Sequence, residues 1–370
     1  MEDNGLRLSI CAISDPKKLS EIQEELDAFI IKNSRNPFML TAFIKEMMES
    51  TLQKGSIPIV LVLKADEKII GAAPLLLTKK FGMRFTKLLF DFWFSPDFIF
   101  DEVYREVCMQ NSLTFIFGHL KSKFATFDLP AESLSLHLLE QACETNRIYI
   151  SKKNDADLNH RIIPVDRTWT DFQKSRGKYF RQEFRGIERK LGRAGKWQIL
   201  LFENNDHEQD AFQKIIDVEK TSWKQNWRLQ QHVSEDVQLF QLWNGSSSAI
   251  KTCPGFKRSV WFLELNGHPI AYSLVILYKG TAYVTKTSYD NQYREIYPGI
   301  YAINESVRYL FNSGGVKTID FMTNLPFVQK WASMHQLRVR FLLSKGFLPN
   351  LLTLLIQQPQ TRIMWRLIQS

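Results

Sequence analysis

Two stretches of the chain repeat one strand–turn–strand pattern at an offset near 201 residues. VLVLKADEKIIGAAPLLL (60–77) and WFLELNGHPIAYSLVIL (261–277) each contain an apolar run, a polar turn and a second apolar run with isoleucine and small residues. Each pattern follows helix-like segments and precedes a strand–helix–strand pattern. The repetition predicts two tandem copies of one α/β fold of the α+β type with a mixed sheet. A chance likeness between two antiparallel hairpins is the alternative.

Length and composition agree with a folded protein of two domains. The chain has 370 residues, of which 44% are hydrophobic and 24% charged, and this excludes a disordered chain, a collagen-like repeat and a coiled coil. The four cysteines form no CxxC pair and the seven histidines no metal-binding motif, so we expect a cytoplasmic location and no metal. The mixed N-terminus does not resemble a signal peptide, and we expect no membrane span.

The predicted domain boundary is the polar, turn-rich segment SKKNDADLNH (151–160). We therefore expect an N-terminal domain over 1–155, a C-terminal domain over 156–345 and an apolar, basic tail over 346–370.

Three local predictions concern single elements. The apolar run 88–94 predicts a strand, and the segment 244–254, rich in glycine and serine, predicts a flexible insertion. Asp128 and Asp320 each follow an apolar strand pattern, in what we interpret as corresponding places of the two halves.

The positive charge of the chain is concentrated in one helix-like segment. Between Lys174 and Lys196, nine basic residues face two glutamates, which accounts for +7 of the net charge of +9. Four apolar residues at helical spacing predict a buried stripe: Phe180, Phe184, Ile187 and Leu191. Arginines recur every four residues on a neighbouring face: Arg181, Arg185, Arg189 and Arg193. This spacing predicts a ridge that binds phosphates of CoA, tRNA or lipid head groups. The alternative is a solvated face paired with carboxylates.

A second candidate anion site is the predicted helix start at Pro298-Gly299. Proline suits the first helical turn, and glycine leaves room for a ligand. The first amides of this helix are expected to be free at the positive end of the helix dipole, and Arg294 adds charge. The residues of this predicted cofactor site are Tyr289, Arg294, Pro298, Gly299, Ile300 and Tyr301. The alternative is an ordinary helix start.

Three carboxylates are candidates for a general base: Asp290, Asp320 and Glu219, in that order. Trp223 is expected to line a cleft near Glu219, and Lys330 to contact a phosphate or a carboxylate. The alternatives are that Trp223 packs in the core, that Glu219 pairs with a lysine, and that Asp320 caps a turn.

Six segments occur in an order and spacing that suggest one family: IIGAAPLLL (69–77), FDLP (127–130), FQKSRGKYFRQEFRGIERKLGRAGKW (172–197), EKTSWK (219–224), PIAYSLVILYKGTAYVTKTSYDNQYREIYPG (269–299) and TIDFMTNLPFVQKW (318–331). Together they resemble the GNAT-like acetyltransferase family of bacterial cellulose and polysaccharide biosynthesis. More distantly the chain is similar to the Fem-type aminoacyl transferases. The likeness covers roughly residues 35–345.

The resemblance implies two GNAT-like acyl-CoA N-acyltransferase domains in tandem, of which the first is degenerate. It implies transfer of an acyl group from acetyl-CoA or another acyl-CoA to an amine or hydroxyl of a sugar, lipid-linked or peptide acceptor, by direct attack. In that fold the strand 270–278 presents backbone amides to the thioester oxygen, and the loop 294–299 holds the pyrophosphate. The loop has one glycine, Gly299, where the family pattern Q/R-x-x-G-x-G/A has two small residues.

Two other functions stay open from the sequence. In the first, the donor is an aminoacyl-tRNA and the arginine ridge follows the RNA backbone. In the second, the chain is a non-catalytic GNAT-like module. Its basic helix and tail then dock on the inner face of an anionic membrane or on a polysaccharide-synthesis complex.

Overall fold

A computed structural model describes residues 7–52, 56–80, 82–90, 94–154, 156–224, 237–332 and 334–346. The chain divides into two compact units, residues 1–159 with 336–370 and residues 160–335. Each unit contains a mixed sheet with helices. Of the predicted tail, only Gly346 lies among the described residues.

The first unit begins with a strand and three helices before its central hairpin. Its elements are β1 (Leu8–Ile13), α1 (Pro16–Glu21), α2 (Gln23–Asn33), α3 (Thr41–Leu52), β2 (Ile57–Ala65), β3 (Lys68–Lys80), β4 (Met83–Leu88), β5 (Ile99–Phe100), α4 (Arg105–Thr114), β6 (Phe124–Pro130), α5 (Leu134–Thr145) and β7 (Tyr149–Asn154).

The second unit begins with a short strand, a short helix and the basic helix. After this unit the chain continues into one more strand, Arg338–Ser344. The elements are β8 (His160–Pro164), α6 (Trp169–Ser175), α7 (Gly177–Ala194), β9 (Trp197–Glu203), α8 (Glu208–Lys220), α9 (Val237–Thr252), β10 (Lys257–Leu265), β11 (His268–Tyr278), β12 (Thr281–Tyr289), a 3-10 turn (Asn291–Ile296), α10 (Pro298–Asn312), β13 (Thr318–Asp320), a second 3-10 turn (Pro326–Lys330), β14 (Met334–Gln336) and β15 (Arg338–Ser344).

The two sheets have the same strand order. The first is β1-β2-β3-β4-β6-β15-β7, with β5 beside β3, and the second is β9-β10-β11-β12-β13-β8-β14. In both, the fourth and fifth strands are parallel, β4 with β6 and β12 with β13. A parallel pair needs a crossover connection, and α4 and α10 occupy these connections.

The two central hairpins share a turn geometry and an irregularity. Both turns have two successive residues with positive φ, Asp66-Glu67 and Asn266-Gly267, as type I′ turns require. Both ladders shift register at the same point, between residues 63 and 64 and between residues 263 and 264. These points are 200 residues apart, one fewer than the offset read from the sequence. The predicted tandem repeat is confirmed.

The sixth strand of each sheet determines where the units divide. β15 follows the second unit in the chain but pairs with β6 and β7 of the first sheet. β8 follows β7 in the chain but pairs with β13 of the second sheet. The expected second domain, 156–345, therefore differs from the observed unit, 160–335. The sequence analysis did not predict the strand 338–344, and only the structure shows which sheet it completes.

The basic helix packs as its periodicity predicts. The four apolar residues of the stripe are buried in the core of the second unit: Phe180, Phe184, Ile187 and Leu191. Burial of each such side chain contributes about 1.5–3 kcal/mol to the free energy of unfolding.

Two local predictions are wrong. The strand that follows β3 is Met83–Leu88, because the turn at Gly82 (φ +75°) pairs Lys80 with Met83. Of the expected strand 88–94, residues 89, 90 and 94 are not in a strand, and residues 91–93 lie outside the described residues. The expected insertion 244–254 belongs largely to α9, Val237–Thr252. Two of its serines accept hydrogen bonds from the Arg258 guanidinium, at Ser246 Oγ (3.0 Å) and Ser247 Oγ (2.7 Å). This contact between distant segments favours a helix here and could not be recognised from the local sequence.

Candidate active site

The parallel strands of the second sheet separate soon after they meet. β12 pairs with β13 only over residues 281–283 opposite 318–320. β12 then continues to Tyr289, whereas the chain after β13 follows β8, since the Phe321 amide donates to the Arg161 carbonyl (2.9 Å). Among the described residues, the outer edge of β12 from 284 to 289 has no strand neighbour. We refer to residues 284–289 as the open edge.

Hydrogen bonds at the end of β12 determine which backbone groups point outward. The Asp290 amide donates to the Ile270 carbonyl of β11 (2.8 Å). Because inward and outward groups alternate along a strand, the amides and carbonyls of Thr287 and Tyr289 lie on the open edge. Lys224 Nζ donates to the Thr287 carbonyl (2.9 Å), which agrees with this assignment.

The expectation that strand 270–278 presents free amides is wrong. β11 lies between β10 and β12, so its backbone groups pair within the sheet. The irregular strand is β12, where Leu274 pairs with Lys286 and Val275 with Val284. Thr285 is therefore a bulge residue, and its hydroxyl donates to the Leu274 carbonyl (3.0 Å).

Glu219 is the centre of a buried polar cluster beside the open edge. Its side chain is 4% exposed, near the end of α8. It accepts hydrogen bonds from the Tyr272 hydroxyl (2.6 Å), Lys224 Nζ (3.2 Å) and Ser222 Oγ (3.4 Å). A buried carboxylate with three donors is firmly oriented. The contacts of Glu219 therefore include the pair with a lysine that we gave as the alternative to a general base.

Asp290 lies next to this cluster, at the end of β12. Its backbone forms a bridge with Ser222, and the Asn291 amide donates to the Thr221 carbonyl (3.0 Å). Asp290 Oδ1 accepts the Gln292 amide (2.9 Å) and so caps the first 3-10 turn. No described residue donates to Oδ2, and the side chain is half-buried. The structure thus brings together two of the three candidate carboxylates.

Asp320 lies apart from them and has a structural environment. It is buried, Oδ1 accepts the Met322 amide (2.6 Å), and Oδ2 lies 3.2 Å from His160 Nδ1. Met322 has φ +52°, so the carboxylate stabilises a strained turn. The predicted correspondence with Asp128 is wrong, because Thr126 of β6 occupies the register position of Asp320.

The helix start at Pro298 has the predicted form but fewer free donors. Pro298 is the first residue of α10, after Tyr297 with φ +61°. The Tyr301 amide donates to the Tyr297 carbonyl (3.2 Å), so only the amides of Gly299 and Ile300 precede the intrahelical bonds. An added Cβ at Gly299 would lie 3.0 Å from Tyr289 Cδ1. The absence of a side chain at Gly299 therefore leaves room for the Tyr289 ring, whereas we expected it to leave room for a ligand.

Tyr301 is a core residue rather than a ligand contact. Its side chain is buried, its hydroxyl donates to Glu188 Oε1 (3.1 Å), and its ring packs against Trp197. Burial, aided by Glu305 and Glu188, raises the pKa of the Tyr301 phenol far above its ordinary value. The phenol therefore remains a donor.

Two cations lie near the helix start. Lys190 Nζ of α7 donates to the Glu295 carbonyl (2.8 Å) and lies 5.0 Å from the centroid of the Tyr297 ring. Arg294 is exposed and forms an ion pair with Glu295, which is also exposed (3.1 Å). An exposed pair of this kind is weak, so the guanidinium can exchange partners.

The remaining predicted anion contacts divide into engaged and exposed side chains. Lys330 forms an ion pair with Glu183 of α7, and Arg181 donates to the Gln173 carbonyl (3.2 Å). Trp223 is 50% exposed and so does not pack in the core. Arg185 and Arg189 are exposed on α7.

Sequence reasoning did not include Tyr272, Lys224 or Lys190 among the candidate residues. Tyr272 carried one weak signal, a hydroxyl beside that of Ser273 within the mainly apolar strand IAYSLVIL. Lys224 and Lys190 carried none, because a lysine in a polar segment or a basic helix is ordinarily solvated.

The comparison with known families agrees with this geometry. The family model described as the acetyltransferase (GNAT) domain matches residues 178–327. We refer to residues 178–327, which are similar to this domain, as the GNAT-type domain. The matched range contains α7, the open edge, the Glu219 cluster and the start of α10. No curated protein sequence matches the chain.

Three solved structures share the fold over most of the chain. A conserved protein of unknown function from Bacteroides thetaiotaomicron is 12% identical, with a TM-score of 0.54, 91% of this chain covered and 100% of that one. The C-terminal domain of a protein named as a lysylphosphatidylglycerol synthetase of Agrobacterium fabrum is 11% identical, with a TM-score of 0.56 and coverage of 91% and 95%. FemX is 12% identical, with a TM-score of 0.55 and coverage of 91% and 98%.

These likenesses and the two matching strand orders show a tandem GNAT fold. At such identities they concern the fold alone. The link to cellulose or polysaccharide biosynthesis and the cytoplasmic location stay predictions. None of the described helices is long and apolar enough to cross a membrane. Within the described ranges no group of three or more His, Cys, Asp or Glu side chains is placed to hold a metal ion.

Proposed function

We propose that the GNAT-type domain transfers an acyl group from acyl-CoA to an amine or hydroxyl of a sugar, lipid-linked or peptide acceptor. The observation that carries this proposal is the separation of β12 from β13, with the Glu219 cluster and Asp290 beside the open edge. Bound acyl-CoA would supply a thioester: the acceptor nitrogen or oxygen bonds to its carbonyl carbon, the C–S bond breaks, CoA leaves as the thiolate and the acceptor proton passes to a general base.

The start of α10 supports a phosphate site. The amides of Gly299 and Ile300 and the positive end of the helix dipole attract an anion. Lys190 and Arg294 add positive charge at the adjoining 3-10 turn. These groups fit the pyrophosphate of CoA, and the open edge leads from them along β12.

The open edge supports orientation of the acyl carbonyl. The outward amides of Thr287 and Tyr289 are donors fixed by the sheet, so they stabilise developing negative charge on an oxygen without reorganisation. Lys224, held by Glu219 at the Thr287 carbonyl, keeps this edge in place and adds positive charge.

Asp290 is our candidate for the general base. Oδ1 is fixed by the Gln292 amide, and the half-buried side chain leaves Oδ2 for the acceptor proton. Glu219 is better suited to a positioning role, because it already accepts from Tyr272, Lys224 and Ser222. Asp320, tied to its own turn, is assigned no proton transfer.

The test is thermal unfolding with CoA, acetyl-CoA and longer acyl-CoAs. A ligand at about 100 times its Kd stabilises the native state by about 2.7 kcal/mol, a shift of several degrees for a protein of this size. Lys190→Gln should reduce the shift, whereas Lys251→Gln, which removes an exposed cation of α9, should not. No shift with any CoA would contradict the proposal.

A second donor is supported by the single glycine and the two free amides at the start of α10. A site with few phosphate donors suits an aminoacyl-tRNA whose affinity depends on contacts elsewhere. In the same experiment, stabilisation by aminoacyl-tRNA with a steep salt dependence, and none by CoA, would favour this donor. Stabilisation by neither would favour the non-catalytic module, including one in a polysaccharide-synthesis complex.

A further inference from the structure

The solvent side of α7 carries cations that form no ion pair with any described carboxylate. On a helical projection at 100° per residue, Lys178, Arg185, Arg189 and Arg193 lie opposite the buried stripe. We refer to these four residues as the cationic face. All four are exposed, and Gln182, Gly186 and Gly192 lie between them.

The two glutamates of α7 lie at the borders of this face and are engaged elsewhere. Glu183 forms an ion pair with Lys330, and Glu188 accepts the Tyr301 hydroxyl. Among the described residues, no carboxylate forms an ion pair with the cationic face. The expected alternative, a ridge whose arginines pair with carboxylates, therefore does not describe the observed contacts.

The glycines of this face indicate that it is not shaped for helix stability alone. A glycine within a helix costs roughly 0.5–1 kcal/mol relative to alanine. An added Cβ at Gly186 or Gly192 would meet nothing within 4 Å, so no internal contact requires either glycine. Their effect is a face on which few side chains other than the cations project.

The shape of the face favours a flat partner. The cationic face is convex and about 22 Å long at 1.5 Å per residue. The apolar stripe is buried in the core, so α7 cannot insert it into a bilayer and would bind a surface mainly through charge. Tyr179, 86% exposed in the first turn, is an amphipathic side chain of the kind enriched at the lipid interface.

We propose that the cationic face of α7 docks the protein on an anionic phospholipid surface. Clusters of basic residues bind such surfaces through the phosphates of the head groups. A single-stranded nucleic acid fits less well, because its binding sites combine a groove with several stacking aromatic side chains. This proposal does not depend on the acyl-transfer reaction.

The test is co-sedimentation of the full chain with two kinds of vesicle. One contains phosphatidylcholine alone, and the other equal parts of phosphatidylcholine and phosphatidylglycerol. We expect binding to the second only, weakened by salt. The triple variant R185Q/R189Q/R193Q should bind on the order of 100-fold more weakly, since each basic residue contributes about fivefold. The control K17Q/K18Q/K251Q removes the same charge from exposed positions and should bind as the wild type does.

Three results would overturn the proposal. They are equal binding to both vesicles, equal losses in the two triple variants, and loss of tRNA binding in R185Q/R189Q/R193Q with vesicle binding retained. Both triple variants should unfold at the wild-type temperature within a few degrees. Each should also keep the acetyl-CoA-induced shift, if the proposed donor is correct, so that failure of one proposal is separable from failure of the other.

Discussion

Each unit has an aspartate at the equivalent point of its own sheet, but the surroundings of the two aspartates differ. The Asp101 amide donates to the Ile70 carbonyl and the Asp290 amide to the Ile270 carbonyl, both at 2.8 Å. Each carboxylate also accepts the amide two residues further on. Asp101, however, forms an ion pair with Lys32 (3.3 Å), whereas no ion pair of Asp290 is found in the described part of the chain.

The strand that leads to this aspartate is continuous only in the second unit. In the first unit, ten residues, 89–98, separate the pairs Leu75–Leu88 and Ala72–Ile99, where the second unit has three, 285–287. Four aromatic or aliphatic side chains of this insertion are buried: Leu89, Phe90, Phe94 and Phe98. Phe98 packs against Phe127 of β6 with ring centroids 5.1 Å apart.

The helix that follows also differs. α4 begins at Arg105, soon after Asp101, and lacks a Pro-Gly start. Cys108 Sγ of α4 lies 3.6 Å from the Ile70 carbonyl, so the helix packs directly on β3. The comparison teaches that the aspartate alone does not make a site. An open edge and a separate helix start are also needed, and we therefore propose that the first unit binds no acyl-CoA.

The largest expected effect is on turnover. Asp290→Asn keeps the cap of the 3-10 turn but removes the base, so turnover should fall by roughly 10²–10⁴-fold. Asp101→Asn is the matched control, at the same position of the other sheet, and should leave turnover unchanged. Steady-state kinetics with saturating acetyl-CoA and an accepted amine measure both. A loss of less than tenfold in Asp290→Asn would remove it from the mechanism.

The next effect is on stability. Phe98→Ala should lower the free energy of unfolding by about 3–5 kcal/mol, because it leaves a cavity between the insertion and β6. Chemical denaturation measures the change.

A second measurement tests whether only one unit binds the donor. Calorimetric titration of the wild type should give one acetyl-CoA per chain, and a stoichiometry of two would contradict the proposal that the first unit binds no acyl-CoA.

A smaller effect is expected at the start of α10. Gly299→Ala forces the Tyr289 ring to move, since the new methyl would lie 3.0 Å from Tyr289 Cδ1. Overpacking of this kind costs roughly 1–3 kcal/mol and should also reduce the acetyl-CoA-induced shift. The control Gly186→Ala, in open space on α7, should gain about 0.5–1 kcal/mol. Equal effects of the two variants would refute our account of Gly299.

The smallest expected effect is a pH dependence of the stability that Asp101 contributes. A hydrogen bond from the Val103 amide, followed by Lys32, lowers the pKa of Asp101 below its ordinary value of 3.8. The ionised form is therefore favoured by folding; its contribution is fully present above the ordinary pKa of 3.8 and is lost as the pH falls through the lowered pKa of the folded state. Asp101→Asn should cost under about 1 kcal/mol at neutral pH and progressively less as the pH falls below 3.8. Thermal unfolding over a pH series checks the sign, and a cost that stays constant down to strongly acidic pH would contradict it.

Much of the fold could be predicted because local chemistry determines it. Apolar runs on both sides of the turns at Asp66-Glu67 and Asn266-Gly267 specify two hairpins. The period of Phe180, Phe184 and Ile187 specifies the buried side of α7, and Pro298 marks the start of α10. Each of these signals comes from residues close together in the sequence.

The candidate site could be predicted only in part, because its contacts span large sequence separations. Asp290 and Glu219 were recognisable as carboxylates at element ends, but nothing local indicated that Tyr272 would donate to Glu219 across 53 residues. Lys224 reaches Thr287 across 63 residues. Asp320 seemed equally suited to catalysis until its contacts with His160 and Met322 were known.

The sequence by itself determined the tandem hairpins, the amphipathic basic helix and the residue types available for chemistry, since short-range periodicity and turn chemistry carry that information. The tertiary structure decided three other things: which sheet β15 completes, where β12 separates from β13, and which carboxylate is held beside the open edge. These depend on backbone pairing and polar contacts between distant segments. Such contacts form only when the whole sheet is assembled, because an isolated strand has no preferred partner.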